Sequence, residues 1–192
     1  RSAYFYILGQ YLGDGCINEM KNKRTHVLRI ACADKYPKII EEVKNCLGLV
    51  FPNNKVQNVQ SRGCKLIGIY NCNLPLIFPQ HGSGKKHNRK IELSDWQEKF
   101  INYEQLIKGL FHSDGHLHIG NELVKNKNRI SYSFTNCSRD IIEIYSKGLD
   151  SLNIKYRIRD KKDNRNKTKA YIVDTAIKNE SLKLMDIIGI KE

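Results

Sequence analysis

Apolar residues open the chain at helical spacing. Tyr4, Ile7, Leu8, Tyr11 and Leu12 share one face of a helix, and the segment YFYILGQYLGDG closes on Asp14-Gly15. The pattern returns a hundred residues later in YEQLIKGLFHSDG, with Tyr103, Leu106, Ile107, Leu110 and Phe111 on the face and Asp114-Gly115 at the end. Glycine at these ends suggests a left-handed C-terminal residue. Gly9 and Gly13 match Gly109 and Ser113, small residues four apart that leave a flat stripe where two helices can pack backbone to backbone.

The stretches after each helix also match. After the first come strands Cys16–Lys23 and Thr25–Cys32, helix Lys35–Leu47, strands Lys55–Arg62 and Lys65–Asn71, and a short helix Leu74–Phe78. After the second come strands His116–Lys125 and Arg129–Thr135, helix Arg139–Leu152, strands Ile154–Lys161 and Lys169–Ile177, and a closing helix Glu180–Ile188. The order αββαββα thus occurs twice. A first half over residues 1–80 and a second over 103–192 share one α+β core, because each first helix needs the other as its partner. Residues 81–102 form the basic connection: HGSGKKHNRK, read as flexible, then a turn over Ile91–Gln97.

Alternation within the strands predicts one wet, basic sheet face. Ile154, Tyr156 and Ile158 point one way while Lys155, Arg157, Arg159 and Lys161 point the other. Ile130, Tyr132 and Phe134 alternate with Arg129, Ser131, Ser133 and Thr135, and Leu28 and Ile30 flank Arg29. A two-stranded ribbon of this kind fits the major groove of DNA.

Composition sharpens that reading. The 192 residues carry 33 Lys and Arg against 20 Asp and Glu, a net charge of +13, with 40% apolar residues. Such a chain fills a core and is not a disordered tail. The first hundred residues contribute +8 and the remainder +5, so both halves are basic and a polyanionic partner follows, nucleic acid ahead of membrane. No apolar run is long enough to span a bilayer and the start lacks the layout of a signal peptide, which reads as a soluble, intracellular protein. Arg1 is not an initiator methionine, which reads as a segment of a longer product. The six cysteines form no CxxC pair and read as reduced thiols.

Asp14 and Asp114 carry the chemistry. A carboxylate at a helix C-terminus meets carbonyls that are already partly negative, at a cost of ~0.3–1 kcal/mol. Packing the two helices side by side would bring two such groups together. A divalent cation relieves the crowding, with both carboxylates and the carbonyls of Gly13 and Ser113 supplying the all-oxygen shell Mg²⁺ prefers. Such an ion can activate water for phosphodiester hydrolysis. The histidines of HSDGHLH (His112, His116 and His118) raise a zinc-dependent enzyme as an alternative.

ILGQYLGDG (Ile7–Gly15) and IKGLFHSDG (Ile107–Gly115) resemble the paired motifs of the LAGLIDADG homing endonucleases in their single-chain, two-motif form. The resemblance runs through essentially the whole chain. Leu12 and His112 depart from the motif at its earlier aspartate, a position that is not the family's metal ligand. The resemblance implies a monomer of two pseudo-symmetric halves joined through their first helices, with two antiparallel sheets forming a saddle on double-stranded DNA. It implies intron-homing cleavage of a long, mostly asymmetric site to staggered ends with 3′ overhangs. It gives Asp14 and Asp114 as metal-binding catalytic residues using Mg²⁺, with Mn²⁺ or Ca²⁺ able to substitute for binding. Lys85 or Lys86 lies where family members bring a basic side chain to the active site, and Lys191 is the next candidate. Expected DNA contacts are Asn18, Arg29, Arg62, His118, Arg129, Ser131, Ser133, Lys155, Arg157, Arg159 and Lys161. The alternative on the same scaffold is a catalytically silent DNA-binding protein or an intron RNA maturase. Intein splicing is not indicated, since neither a nucleophile at the start nor His-Asn at the end is present.

Overall fold

The computed structural model describes residues 1–21, 24–120, 130–162 and 169–192. Helix α1 (Ser2–Asp14) leads into β1 (Gly15–Glu19) and β2 (His26–Ala33), then α2 (Pro37–Val50), β3 (Gln57–Ser61), β4 (Cys64–Asn71) and the single turn α3 (Leu74–Ile77). A 3₁₀ turn at Lys86–Asn88 and α4 (Asp95–Phe100) connect to the second set. That set comprises α5 (Tyr103–Asp114), β5 (Gly115–Ile119), β6 (Ile130–Asn136), α6 (Arg139–Ser151), β7 (Arg157–Lys162), β8 (Lys169–Thr175) and α7 (Lys178–Ile188). Two antiparallel four-stranded sheets result, ordered β1-β2-β4-β3 and β5-β6-β8-β7.

The two central helices are buried almost all round. In α1 every residue from Phe5 to Leu12 is buried, because one side meets its own sheet and the other meets α5. The apolar stripe read from the sequence is therefore only part of the buried surface. At the crossing the glycines bring backbone against backbone. A Cβ on Gly9 would lie 2.4 Å from the Leu106 carbonyl oxygen, and one on Gly109 would lie 2.2 Å from that of Tyr6. The sheets close on this pair with Leu28, Ile30, Ile67 and Ile69 from one half and Tyr132, Phe134 and Val173 from the other, all buried.

A polar cluster lies inside this interface. The Tyr6 hydroxyl is 2.9 Å from His112 Nδ1 and accepts a hydrogen bond from Gln10 Nε2 at 3.0 Å. Beside it Lys108 Nζ is 2.5 Å from Glu42 Oε1. Burial and the nearby Lys108 charge hold His112 down at about 4, so its ring is neutral at ordinary pH.

Several expectations need correction. Gly15 and Gly115 are extended, with φ of −99° and −80°, not left-handed. Glycine is needed there for space: a Cβ on Gly15 would lie 2.6 Å from Tyr11 Cα, and one on Gly115 would lie 2.1 Å from Phe111 Cδ2. The turn expected over Ile91–Gln97 ends in helix α4, started by Ser94, whose N–H donates to Gln97 Oε1 at 2.8 Å. Strand β7 begins at Arg157, so Lys155 precedes the sheet, its N–H donating to Glu180 Oε2 at 3.1 Å. Helix α2 starts at Pro37, which favours a first helical turn, and runs to Val50. The expected strand ends at Asn22–Lys23 and Asn121–Lys125 lie outside the described residues. All six cysteines are free thiols.

Candidate active site and nucleic-acid face

Asp14 and Asp114 are the last residues of α1 and α5, and the glycine stripe that joins those helices sets their approach. A Cβ on Gly13 would fall 1.9 Å from Ser113 Oγ and 3.2 Å from Asp114 Oδ2, so the two helix ends are in contact at this point. Burial raises the Asp14 carboxyl above its ordinary value, opposed by the charges of Lys191 and Lys86. Asp114 is pushed up to about 6, first by burial and then by the negative charge of Asp14. Asn136 Nδ2 donates to Asp114 Oδ2 at 2.9 Å and offsets part of that rise. In the first half the matching neighbour of Asp14 is Cys32, a buried thiol pushed up to about 12 by burial and by the Asp14 charge.

Two lysines complete the cluster. Lys86 Nζ donates to the carbonyls of Tyr11 at 2.5 Å, Gly13 at 3.2 Å and Gly15 at 2.6 Å. Tyr11 O, which also accepts the Gly15 N–H, and Gly13 O lie in the last turn of α1 and Gly15 O follows it, so the ammonium sits on the negative end of the helix. Lys191 Nζ does the same at α5, donating to Ser113 O at 2.7 Å. Burial lowers both lysines to about 8, against the pull of the two aspartates. Lys85, by contrast, is exposed.

Residues 81–90, expected to be a flexible tether, are instead laid down. Lys86 pins the segment to α1, and Arg89 Nη1 donates to the Gln80 carbonyl. Under this strap is a cleft of about 920 Å³ lined by Tyr11, Asn18, His26, His81, Lys86 and Asp114.

The donor set suits a hard divalent cation. Two carboxylates with raised proton affinity stand at its centre, and the carbonyls of Gly13 and Ser113 beside them accept from Lys86 and Lys191, so the carboxylate oxygens are the donors free to take an ion. The three histidines do not converge: His112 turns into the core against Tyr6, while His116 and His118 are exposed on β5. Among the described residues no three His, Cys, Asp or Glu side chains are grouped to hold a metal ion.

The expected DNA contacts divide. Asn18, Arg29, His118, Ser131, Ser133, Arg157, Arg159 and Lys161 lie on the sheet faces turned away from the core. Arg62 is exposed in the β3–β4 turn, Lys155 precedes β7, and Arg129 lies outside the described residues. Arg159 is ion-paired to Asp174, with Nε 2.5 Å from Oδ2. Among the described residues no helix is long and apolar enough to cross a membrane.

Residues 102–189 match the LAGLIDADG-like domain family. The chain superposes on I-DmoI solved in complex with DNA and Mn at a TM-score of 0.65, covering 100% of this chain and 98% of that one at 17% identity. The second half thus carries a LAGLIDADG-like domain, and the whole chain has the fold of the single-chain LAGLIDADG structures. Other structures with this fold include the homing endonuclease I-WcaI bound to its DNA recognition sequence, with a TM-score of 0.59, 15% identity and coverage of 97% and 80%. The N-terminal LAGLIDADG domain of DUF199/WhiA matches at 0.57, with 12% identity and coverage of 100% and 82%. I-DmoI has also been solved with DNA and Ca. No curated protein matches the chain in sequence. In LAGLIDADG terms the two motif helices are α1 and α5.

Sequence reasoning missed Asn136 as a partner of Asp114 and named Lys191 only as the next candidate after Lys85 and Lys86. Asn136 follows the alternating face of β6, and only the three-dimensional register places it at a helix end. The Ser94–Gln97 spacing of a capping box was a readable signal for α4.

Proposed function

We propose that this LAGLIDADG protein is a site-specific, divalent-metal-dependent endonuclease that cleaves both strands of DNA. The observation that carries the reading is the pair Asp14 and Asp114, crowded at two abutting helix ends, with Lys86 and Lys191 beside them and an outward-facing sheet on each side. The I-DmoI and I-WcaI complexes with DNA support it by fold.

Asp14 and Asp114 would hold Mg²⁺, Mn²⁺ or Ca²⁺. The ion supplies a polarised water and a positive charge for the leaving oxygen. The chain's own groups do the rest. The sheets set the duplex across the carboxylate pair. Lys86 and Lys191 hold the helix ends and offset negative charge at the scissile phosphates. The pseudo-two-fold arrangement offers one lysine per strand. Cleavage leaves staggered ends with 3′ overhangs, and the protein acts as a monomer on a long, asymmetric site inside the cell.

The test is selection of cleaved products from a randomised duplex library with Mg²⁺, followed by Asp14→Asn and Asp114→Asn. Each variant should lose double-strand cleavage and keep binding. Full cleavage by either one refutes the site. The second reading, a silent DNA binder or RNA maturase, draws on the WhiA likeness. Both aspartates being present favours cleavage over it.

A further inference from the structure

The two sheets share one register. Gln57, Val59 and Ser61 on β3 face Gly68, Leu66 and Cys64 on β4. Arg157, Arg159 and Lys161 on β7 face Asp174, Ile172 and Ala170 on β8. Both sheets start directly after an active-site aspartate, at Gly15 and Gly115, so equivalent rows stand equally placed about the carboxylate pair. What they carry differs. The edge strand of the second sheet presents three cations, and the same three positions of the first present none.

The next row in shows the contrast further. In the first sheet it is Ala31, Leu66 and Val59, joined across β2, β4 and β3. Its counterpart is Thr135, Ile172 and Arg159. Val59 is 54% exposed, and Ala31 and Leu66 are partly open, so this is an accessible apolar strip on a face turned away from the core. Arg29, in the neighbouring row opposite Cys16, is the only charged side chain among the strand residues that face outward on this sheet.

On the major-groove edge the bases present hydrogen-bond donors and acceptors, and the one bulky apolar substituent is the thymine C5-methyl, where cytosine has only a hydrogen. Pressing Ala, Leu and Val side chains against guanine or cytosine edges leaves those donors and acceptors without partners. Pressing them against thymine buries a methyl group. We propose that the half-site under the first sheet is specified by thymine methyls against the Ala31–Leu66–Val59 row, while the half-site under the second sheet is held by charged donors. The inference rests on the DNA-cleaving reading and adds to it a target that is thymine-rich on one side only.

Deoxyuridine differs from thymidine by that methyl alone. The selected duplex, bound in Ca²⁺, is scanned by replacing each thymidine in turn with deoxyuridine. Affinity should fall about fourfold per methyl at neighbouring positions on one side of the cleavage point and change less than twofold on the other. Leu66→Ala should reduce the deoxyuridine effect on the sensitive side. Val59→Arg, at an exposed site that tolerates the change, should replace a thymine preference there with guanine. No sensitivity on either side, equal sensitivity on both, or variants that leave the pattern untouched would overturn the proposal while leaving the nuclease reading intact. Failure to select any duplex would overturn both.

Discussion

Replacing Gly109 with alanine should damage the molecule more than a typical core substitution. The new Cβ would stand 2.2 Å from the Tyr6 carbonyl oxygen and 3.1 Å from the Gln10 nitrogen. Both are backbone atoms of a helix buried all round, so no rotamer change relieves the clash. The helices must part by roughly 1 Å, which forfeits a quarter to a half of the dispersion energy of each contact along the seam. Overpacking ordinarily costs about 1–3 kcal/mol. Here a loss of at least ~3 kcal/mol is expected, even after crediting alanine with ~1 kcal/mol of helix propensity. A domain of this kind has ~5–15 kcal/mol in total. Urea unfolding of Gly109→Ala beside Gly48→Ala measures it. A methyl group added at Gly48 would meet nothing within 4 Å, so that substitution should be neutral or stabilise by up to ~1 kcal/mol. Cleavage should fall in parallel for Gly109→Ala, because the same seam spaces Asp14 and Asp114. A loss below ~1 kcal/mol would show that the glycine contact does not hold the halves together.

Three further outcomes are expected. Asp114 takes up its charge in the fold near pH 6 instead of 3.8, so native stability falls as pH rises through that window. Asp114→Asn should therefore match the native protein below about pH 4 and exceed it by ~3 kcal/mol above pH 7, as read from denaturant unfolding across pH. Lys86→Met should slow single-turnover cleavage at saturating protein at least about tenfold with little loss of affinity, and the native rate should fall as pH rises through about 8, where Lys86 loses its proton. A variant with only a salt-dependent binding defect would make Lys86 a tether. Asn102→Ala removes the side chain that accepts the Gln105 N–H at 3.1 Å and should cost ~1 kcal/mol in thermal or denaturant unfolding.

The sequence made the central helices and the repeat legible because backbone contact demands small residues at fixed spacing, and Gly9, Gly13, Gly109 and Ser113 have no other reason to align. The strands were legible where one face is apolar, as at Ile130, Tyr132 and Phe134. Their ends were not, because Lys155 lies in phase with the strand yet leaves it for Glu180. Lys86 could be suspected from its position, but its partners are carbonyls more than seventy residues away, and carbonyls carry no sequence signature. The crowding of the aspartates was inferred from symmetry. The imbalance between them, Asn136 against Cys32, belongs to the strand register and emerged only in three dimensions.

The buried cluster of Tyr6, Gln10 and His112 bears on which halves of the repeat can pair. At the equivalent places the halves carry Leu106 for Tyr6, Leu110 for Gln10 and Leu12 for His112. Were two copies of the first half to pair, each Tyr6 would keep its bond from Gln10 but meet Leu12 in place of His112, leaving one unpaired hydroxyl proton at ~1–3 kcal/mol, counted twice by symmetry. Two copies of the second half would strand His112 in the same way. The seam thus works as a chemical key and lock, in which each half offers a polar group that the other half completes and a copy of itself would not.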